Sequence, residues 1–496
     1  QRDVFVLMPT GGGKSLCYQL PALLFDGITI VISPLIALMK DQVDGLLANG
    51  IPATFINSSL GYGEINVRRQ RLSGKEIKIL YIAPERLVMP EFLQFLQGLK
   101  VSLLAIDESH CISEWGHDFR PEYRQLRLLK EKFPKVPIMA LTATATPVVQ
   151  EDIITQLDFS DCKVFKASFN RKNLYYQIKS KNDPYHQILQ YLESRKKDSG
   201  IIYCQSRKTV ESLASGLHAS GYRALPYHAG LTAEARTENQ ERFIRDDVEI
   251  IVATIAFGMG INKPNVRYVI HYDLPKSIEG YYQETGRAGR DGLKSDCILF
   301  FSYADKFKIE YFINQKEDEN ERQVAYCESN MCRRRLLLAY FGERFDEPTC
   351  GCCDACLEPK EQFDGTIAAQ KILSCVYRTG ERFGINYIVD VLLGSRNQKV
   401  MQNGHDTIKT YGVGKEHSKS QWQAFIRELI QLGCLNLEAD KYPVLKLNEK
   451  SRTVLFRNEK VFLTKPEEKL HSQKVEADED HDRTLFERLR TLRKTL

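Results

Sequence analysis

The chain reads as an α/β protein: two parallel-sheet lobes in tandem, then a small metal-binding domain and a mostly helical unit that ends in a β-hairpin. Three observations predict this. Short apolar runs alternate with helical patterns from residue 2 to about 159; the alternation restarts after a linker near residues 169–181; and it fades after about residue 311, ahead of a cysteine cluster at residues 350–356. Strand-helix alternation of this kind is the rhythm of a parallel sheet with helices on its faces.

Taken in order, VFVLM, ITIVIS, IKILYIA, LLAID and IMALTAT predict the strands of the first lobe, with helices over residues 15–25 and 122–133. Continuous apolar stretches such as VSLLAI at residues 101–106 suit strands buried on both faces. GIIYC, ALPYHAG, EIIVAT, VRYVIHYD and CILFF predict the second lobe. The two share no repeat at the level of identity, so the duplication is one of fold only. A charged stretch, QKEDENER, leads to a helix holding Cys332 and Arg333 to Arg335. Residues 363–464 form a further unit, helical up to Gly433 and then strand-turn-strand around residues 440–443. Residues 474–482 are charged and read as a linker, and Leu485, Leu489, Leu492 and Leu496 repeat at helical spacing, as in the first helix of another domain.

A length of 496 residues predicts three or more domains, and 43% apolar residues supplies each with a core. The formal charge of +5, from 69 basic and 64 acidic residues, does not by itself argue for nucleic acid, so any such site must come from local arrangement. Thirteen cysteines without a signal-peptide pattern point to a reducing compartment. No apolar run reaches the ~20 residues that a membrane span needs.

MPTGGGKSLCYQLPAL follows the first strand and opens a helix, the context a phosphate-binding loop requires. Thr10, Gly11, Gly12 and Gly13 would wrap phosphates with backbone amides, Lys14 would pair the β and γ phosphates, and Ser15 would ligate magnesium. The first glycine of the usual pattern is absent, since Met8 stands five residues before Gly13. The plain alternative is a glycine-rich turn that only caps a helix. Asp107 and Glu108 follow the strand at residues 101–106, where open α/β sheets place ligands. Asp107 is the candidate magnesium ligand, Glu108 the base for an attacking water, and His110 a coupling residue toward the other lobe. As an acidic pair at a helix start they would merely be solvated. In YYQETGRAGRDG, Arg287 and Arg290 stand three apart among small residues; a phosphoryl-transfer site needs planar cations on its γ phosphate, whereas an ordinary surface loop does not.

Cys332, Cys350, Cys353 and Cys356 have the spacing of a structural zinc site filled by protein ligands, and Cys352 is a fifth thiol that could substitute for Cys350 or Cys353. In SKSQWQAFIRELIQLG the side formed by Trp422, Phe425, Ile426, Leu429 and Ile430 reads as core. The hairpin after it looks like a wing with Lys441 and Tyr442 at its tip, a cation and an aromatic suited to wedging between bases.

These motifs, with SPLIALMKDQV, YIAPERL, DESHCISEWGHDFRPEYRQL, MALTATAT, IIYCQSR, YHAGL and VATIAFGMGINKPNVRYVIHYD, together resemble the successive motifs of RecQ DNA helicases, bacterial members in particular. The resemblance implies RecA-like lobes at residues 1–165 (truncated at its start) and 166–325, a zinc-binding domain at 326–362, a winged-helix domain at 363–466, and from 467 a linker and the start of a C-terminal helical domain. It also implies ATP, magnesium and zinc as cofactors, and ATP-dependent 3′ to 5′ unwinding in DNA repair and recombination. Trp115, His117, Phe119 and Arg120 would sense DNA and couple it to hydrolysis. Residues 33–43, 83–87 and 258–262 and Thr254 would line the strand path, and Gln283, Arg287 and Arg290 would complete the ATP site. Partners would be single-stranded and tailed or forked duplex DNA and a single-strand-binding protein; the expected state is a cytoplasmic, nucleoid-associated monomer with no membrane contact.

Two departures stand out. The family's upstream adenine-reading segment is absent from this chain, and the acidic box reads DESH where DEAH is commoner. Two other function classes compete: a winged-helix DNA-binding regulator whose lobes are a nucleotide-gated clamp, and a double-strand translocase that does not separate strands.

Overall fold

The computed structural model describes residues 2–116, 118–258, 261, 263–302, 305, 323–324, 326–327, 329–359, 361–439, 443–457 and 459–465. It divides into two compact units, Gln1–Pro359 and Lys360–Leu496.

In the first unit, β1 (Asp3–Leu7), β2 (Ile28–Ile32), β3 (Ala53–Ile56), β4 (Ile79–Ile82), β5 (Val101–Ile106), β6 (Ile138–Thr142) and β7 (Cys162–Lys166) form one sheet. Its order is β3-β4-β2-β5-β6-β1-β7, and every pairing is parallel. The central strands are mostly apolar because helices cover both faces, and all five residues of β2 are buried. The order β5-β6-β1 sets the carboxyl ends of β1 and β5 on either side of β6, which brings two distant loops to one edge.

A second parallel sheet holds β8 (Leu174–Ser180), β9 (Ser199–Tyr203), β10 (Ala224–Tyr227), β11 (Ile250–Ala253), β12 (Val266–His271) and β13 (Ser295–Phe301), in the order β10-β11-β9-β12-β13-β8. Three edge strands, β3, β7 and β8, escape the sequence reading, and β8 occupies what reads as linker. Such strands have one neighbour, and β7, CKVFK, has four exposed residues of five. The helix expected over residues 122–133 is broken into Pro121–Arg124, a 3-10 turn at Gln125–Arg127, and Leu128–Lys132.

The helix Arg333–Tyr340 joins the two lobes. Leu338 and the following Phe341 belong to the core of the first, while Leu337 and Cys332 belong to that of the second. Phe341 stacks on Phe169 with ring centroids 4.5 Å apart, and the Tyr282 hydroxyl donates to the Phe169 carbonyl at 2.8 Å. The cysteine region also covers an exposed sheet edge. Ile178 of β8 donates its N–H to Asp354 at 2.9 Å, and Cys353 bridges Tyr176 of the same strand.

The second unit packs helices Thr366–Arg378, Ile385–Leu392, Lys419–Gln431 and Glu449–Phe456 with a β14 (Gln362–Asp364)/β17 (Phe462–Thr464) pair and the antiparallel hairpin β15 (Asn436–Ala439)/β16 (Pro443–Lys446). Trp422, Phe425, Ile426 and Leu429 are fully buried, as expected, with Ile430 packed beside them. The Trp422 indole N–H donates to the Gly414 carbonyl at 2.6 Å; a Cβ on Gly414 would stand 2.9 Å from that ring. The charged stretch QKEDENER and the linker and leucine repeat expected over residues 474–496 lie outside the described residues.

Candidate functional site

The loop after β1 is built to expose backbone. Met8 donates its N–H to Thr142 at the end of β6, Gly12 donates to Pro9 at 2.9 Å, and the chain turns through Gly11 (φ 80°) and Gly13 (φ 87°), conformations that cost a side chain little only in glycine. The helix Lys14–Leu24 starts directly on Gly13, so the amides of its first turn face outward with the positive end of the helix dipole. Tyr18 lies fully buried beneath and bonds to the Ser15 side chain.

Across β6, Asp107 and Glu108 cap β5. Both are nearly buried, and Glu108 sits in the left-handed region at φ 47°. Strain of that kind in a non-glycine residue collects at functional sites. The Glu108 N–H donates to Asp107 Oδ1 at 3.0 Å. Burial, and next the charge on Glu108, push the Asp107 carboxyl up to about 7 against the pull of Lys14. A buried acidic pair with a lysine nearby is a site that gains from a cation. His110 Nδ1 lies 2.9 Å from Thr142 Oγ1 and 3.4 Å from Glu108 Oε2, both partners in the first lobe.

The opposite wall comes from the second lobe. Helix Ile278–Thr285 and the turn after it bring the segment at Gly286 so near the first lobe that a Cβ there would stand 2.9 Å from Thr10 Cβ, and one on Gly11 would stand 3.2 Å from Arg290 Cγ. The small residues of this segment are thus used for close approach. Arg290 donates to the Ile261 carbonyl at 2.7 Å; burial, then the charges of Arg287 and Arg171, lower its pKa to about 10. Thr10, Gly11, Gly13, Lys14, Ser15, Asp107, Glu108, Gln283, Arg287 and Arg290 all line one cavity of about 640 Å³. Gly12 closes the turn beside it, and His110 stands behind Glu108.

The loop after the acidic pair is anchored at both ends. Tyr123, fully buried, donates its hydroxyl to the Asp107 carbonyl at 3.2 Å, and a Cβ on Gly116 would meet the His110 carbonyl at 2.5 Å. Directly before Gly116, Trp115 is 69% exposed. Phe119 lies beneath the Arg124 guanidinium, 5.5 Å from it. Arg120 donates to the Pro34 carbonyl at 3.0 Å and to Asp118 at 3.1 Å, tying the loop to the segment after β2. Thr254 follows β11, with its N–H bonded to the Tyr227 carbonyl. His117, Met259, Gly260, Asn262, Lys441 and Tyr442 lie outside the described residues. Sequence reasoning passed over Thr142 and Tyr123, although both fall inside quoted motifs, because nothing local shows what a hydroxyl touches.

The four thiols of Cys332, Cys350, Cys353 and Cys356 all lie within 4.8 Å of one another. Cys350 Sγ and Cys356 Sγ are 3.8 Å apart, close to the edge of about 3.8 Å that a tetrahedron with ~2.3 Å zinc–sulfur bonds requires. The set fits zinc. Cys332 is held below the usual thiol range, chiefly by a hydrogen bond from Cys353, while burial pushes Cys350 above it. Cys352 does not join them: its sulfur accepts from Arg334 Nη2 at 3.0 Å and donates to the Cys350 carbonyl. The swap that the spacing leaves open to Cys352 is not the arrangement seen: its sulfur is engaged by Arg334 and the Cys350 carbonyl, outside the group of four.

Among known families, DEAD/DEAH box helicase matches residues 1–153, Helicase conserved C-terminal domain 183–292, RecQ zinc-binding 303–357 and RQC domain 359–472. The chain is 47% identical to the ATP-dependent DNA helicase RecQ of Pasteurella multocida, over all of this chain and 80% of that protein. Identity is 46% to that of Haemophilus influenzae and 43% to that of Bacillus subtilis, again over the whole chain and over 82% and 84% of theirs. Among solved structures, Mss116p bound to ssRNA and AMP-PNP superposes with a TM-score of 0.53, over 82% of this chain and 87% of that one. The Mycobacterium smegmatis helicase Lhr bound to ssDNA and AMP-PNP gives 0.52 over 92% and 57%. At 18% identity each, these two share the fold.

Proposed function

The chain belongs to the RecQ family of ATP-dependent DNA helicases, which act in DNA repair and recombination, and on that premise we propose that it hydrolyses ATP between its lobes to travel 3′ to 5′ along single-stranded DNA and unwind tailed or forked duplexes. One observation carries the reading: the phosphate loop and acidic pair of the first lobe and the arginines of the second line the same cavity. Acid on one wall and cations on the other suit a nucleotide triphosphate whose charge moves during transfer.

Lys14 pairs the β and γ phosphates. Ser15 and Asp107 are the groups that would hold magnesium, which when bound neutralises phosphate charge. Glu108 takes the proton of the attacking water, and His110, in reach of both Glu108 and Thr142, holds that carboxylate in place. Arg287, Arg290 and Gln283 come from the other lobe, so hydrolysis depends on the lobes being together. Trp115 is free to stack on a base. The Tyr123 hydroxyl on the Asp107 carbonyl supports a path by which a shift of that loop reaches the acidic pair. Residues 33–43, 83–87 and Thr254 would line the strand path, and the β15–β16 hairpin, with Lys441 and Tyr442 between its strands, would split the duplex. A single-strand-binding protein is the proposed partner, the state a monomer, and the place the bacterial cytoplasm.

Strand displacement on 3′-tailed and 5′-tailed duplexes, with ATP, with a nonhydrolysable analogue and without nucleotide, tests this. Unwinding of the 3′-tailed substrate alone, with ATP alone, is the expected result. Binding without unwinding would favour the clamp, and ATP-driven movement on duplex without strand separation would favour the translocase.

A further inference from the structure

The segment 167–173, between β7 and β8, joins the two lobes, and one of its side chains reaches the loop that carries the arginines of the cavity. Arg171 Nη1 donates to the Gly286 carbonyl at 2.7 Å, and Nη2 donates to the carbonyls of Ala288 at 2.9 Å and Gly289 at 2.6 Å. One planar guanidinium thus holds three carbonyls of a four-residue stretch that contains Arg287 and directly precedes Arg290. Asn173 adds bonds to Gly289 at 2.8 Å and Leu293 at 2.9 Å. We propose that Arg171 is a positioning residue for ATP hydrolysis: it fixes the backbone of residues 286–289 and so sets where Arg287 and Arg290 stand above the phosphate loop.

The clamp is itself held. Arg334 donates to the Arg171 carbonyl and to the Leu174 carbonyl, each at 2.8 Å, and also to the Asn170 side chain, so the backbone that presents Arg171 is pinned by the helix linking the lobes. The loop it holds has little slack. The close approach of Gly286 to Thr10 and of Arg290 to Gly11 leaves no room to slide, and Gly289 turns at φ 54° where a Cβ would meet Asn173 at 2.4 Å. Displacing a catalytic cation by about 1 Å can cost on the order of 10²-fold in rate. A lysine cannot replace this guanidinium, since its three N–H donors radiate from one nitrogen whereas the site presents three acceptors to a planar fork. Like charge adds a reason for the clamp: Arg171, Arg287 and Arg290 repel one another and would spread without the carbonyl bonds that hold them.

This inference rests on the cavity being the ATP site. Its test compares the full chain with Arg171→Lys, Arg171→Gln, Asn173→Ala and Arg287→Ala, measuring DNA-stimulated ATP turnover, affinity for a nonhydrolysable analogue, bound zinc and thermal melting. Both Arg171 variants should lose roughly 10- to 100-fold in kcat. Analogue affinity and zinc content should stay at wild-type levels, and Asn173→Ala, which leaves the guanidinium in place but loosens the same loop, should show a smaller loss in kcat of the same kind. Unchanged kcat in the folded Arg171 variants would overturn the proposal. So would losses in Arg171 and Asn173 variants that only track the fraction of folded protein, because that is what a purely structural bond produces. A wild-type chain that hydrolyses no ATP, or full turnover in Arg287→Ala, would instead overturn the assignment of the cavity.

Discussion

Glu108 concentrates several of the constraints that make the site work. Its backbone is held in the left-handed region, its carboxylate is nearly buried, and its partners are a histidine of its own lobe and the aspartate before it. Replacing it by Gln keeps the shape and removes the proposed base. Glu108→Gln should lower DNA-stimulated ATP hydrolysis by roughly 10²- to 10⁴-fold while analogue binding persists. Turnover near wild type would mean that another group activates the water. Trp115, exposed on the loop that follows, is the proposed counterpart on the DNA side. Trp115→Ala should remove one stacking contact of about 1–3 kcal/mol and leave analogue binding intact while DNA no longer stimulates turnover; equal stimulation in both proteins would end the coupling idea. Residues of this kind are legible in the sequence because motif spacing carries their chemistry. The spacing left open whether Cys352 joins the cluster, because spacing says nothing of which way a side chain points.

At the scale of elements, the buried strands were readable, while three of the four edges of the two parallel sheets were not; only the edge strand β10 was predicted. β2, β5, β6, β9 and β12 are rich in apolar residues and flanked on both sides by other strands, whereas β3, β7 and β8 have one neighbour and escape the sequence reading. Tight packing inside the second sheet makes a sharp test. Gly200 of β9 lies against the face of Tyr268 of β12, and a Cβ there would fall 1.8 Å from the ring. Gly200→Ala should destabilise the lobe by about 1–3 kcal/mol or more, seen as a lower melting transition, because the neighbouring tyrosine is fully buried and cannot withdraw. A melting curve that matches wild type would show that the strand shifts freely, against this packing. The broken helix at residues 121–132 teaches a related lesson. Its apolar spacing is helical, but Tyr123 must reach the Asp107 carbonyl while Leu126 and Leu129 enter the core, and the 3-10 turn reconciles the two demands.

For the whole molecule, the zinc-binding region is a brace on the first unit: it covers the β8 edge through Asp354 and Cys353, and its helix enters both cores. Stripping zinc should therefore lower the melting transition of the first unit and abolish ATP turnover. The emission of Trp422, buried in the second unit, should hardly change. A melting profile untouched by complete zinc removal would count against that brace. By itself the sequence determined which residues could carry chemistry, the buried strands, the four cysteines that cluster and the division into lobes, since each is written in neighbouring residues, in apolar periodicity or in short spacings. Only the tertiary structure decided which distant groups meet: Gly286 against Thr10, Tyr123 on Asp107, Arg171 clamping residues 115 to 118 positions away. The reason is physical. Such contacts depend on how sheets and helices stack and on where a loop's carbonyls face, and neither is encoded in any local pattern of residues.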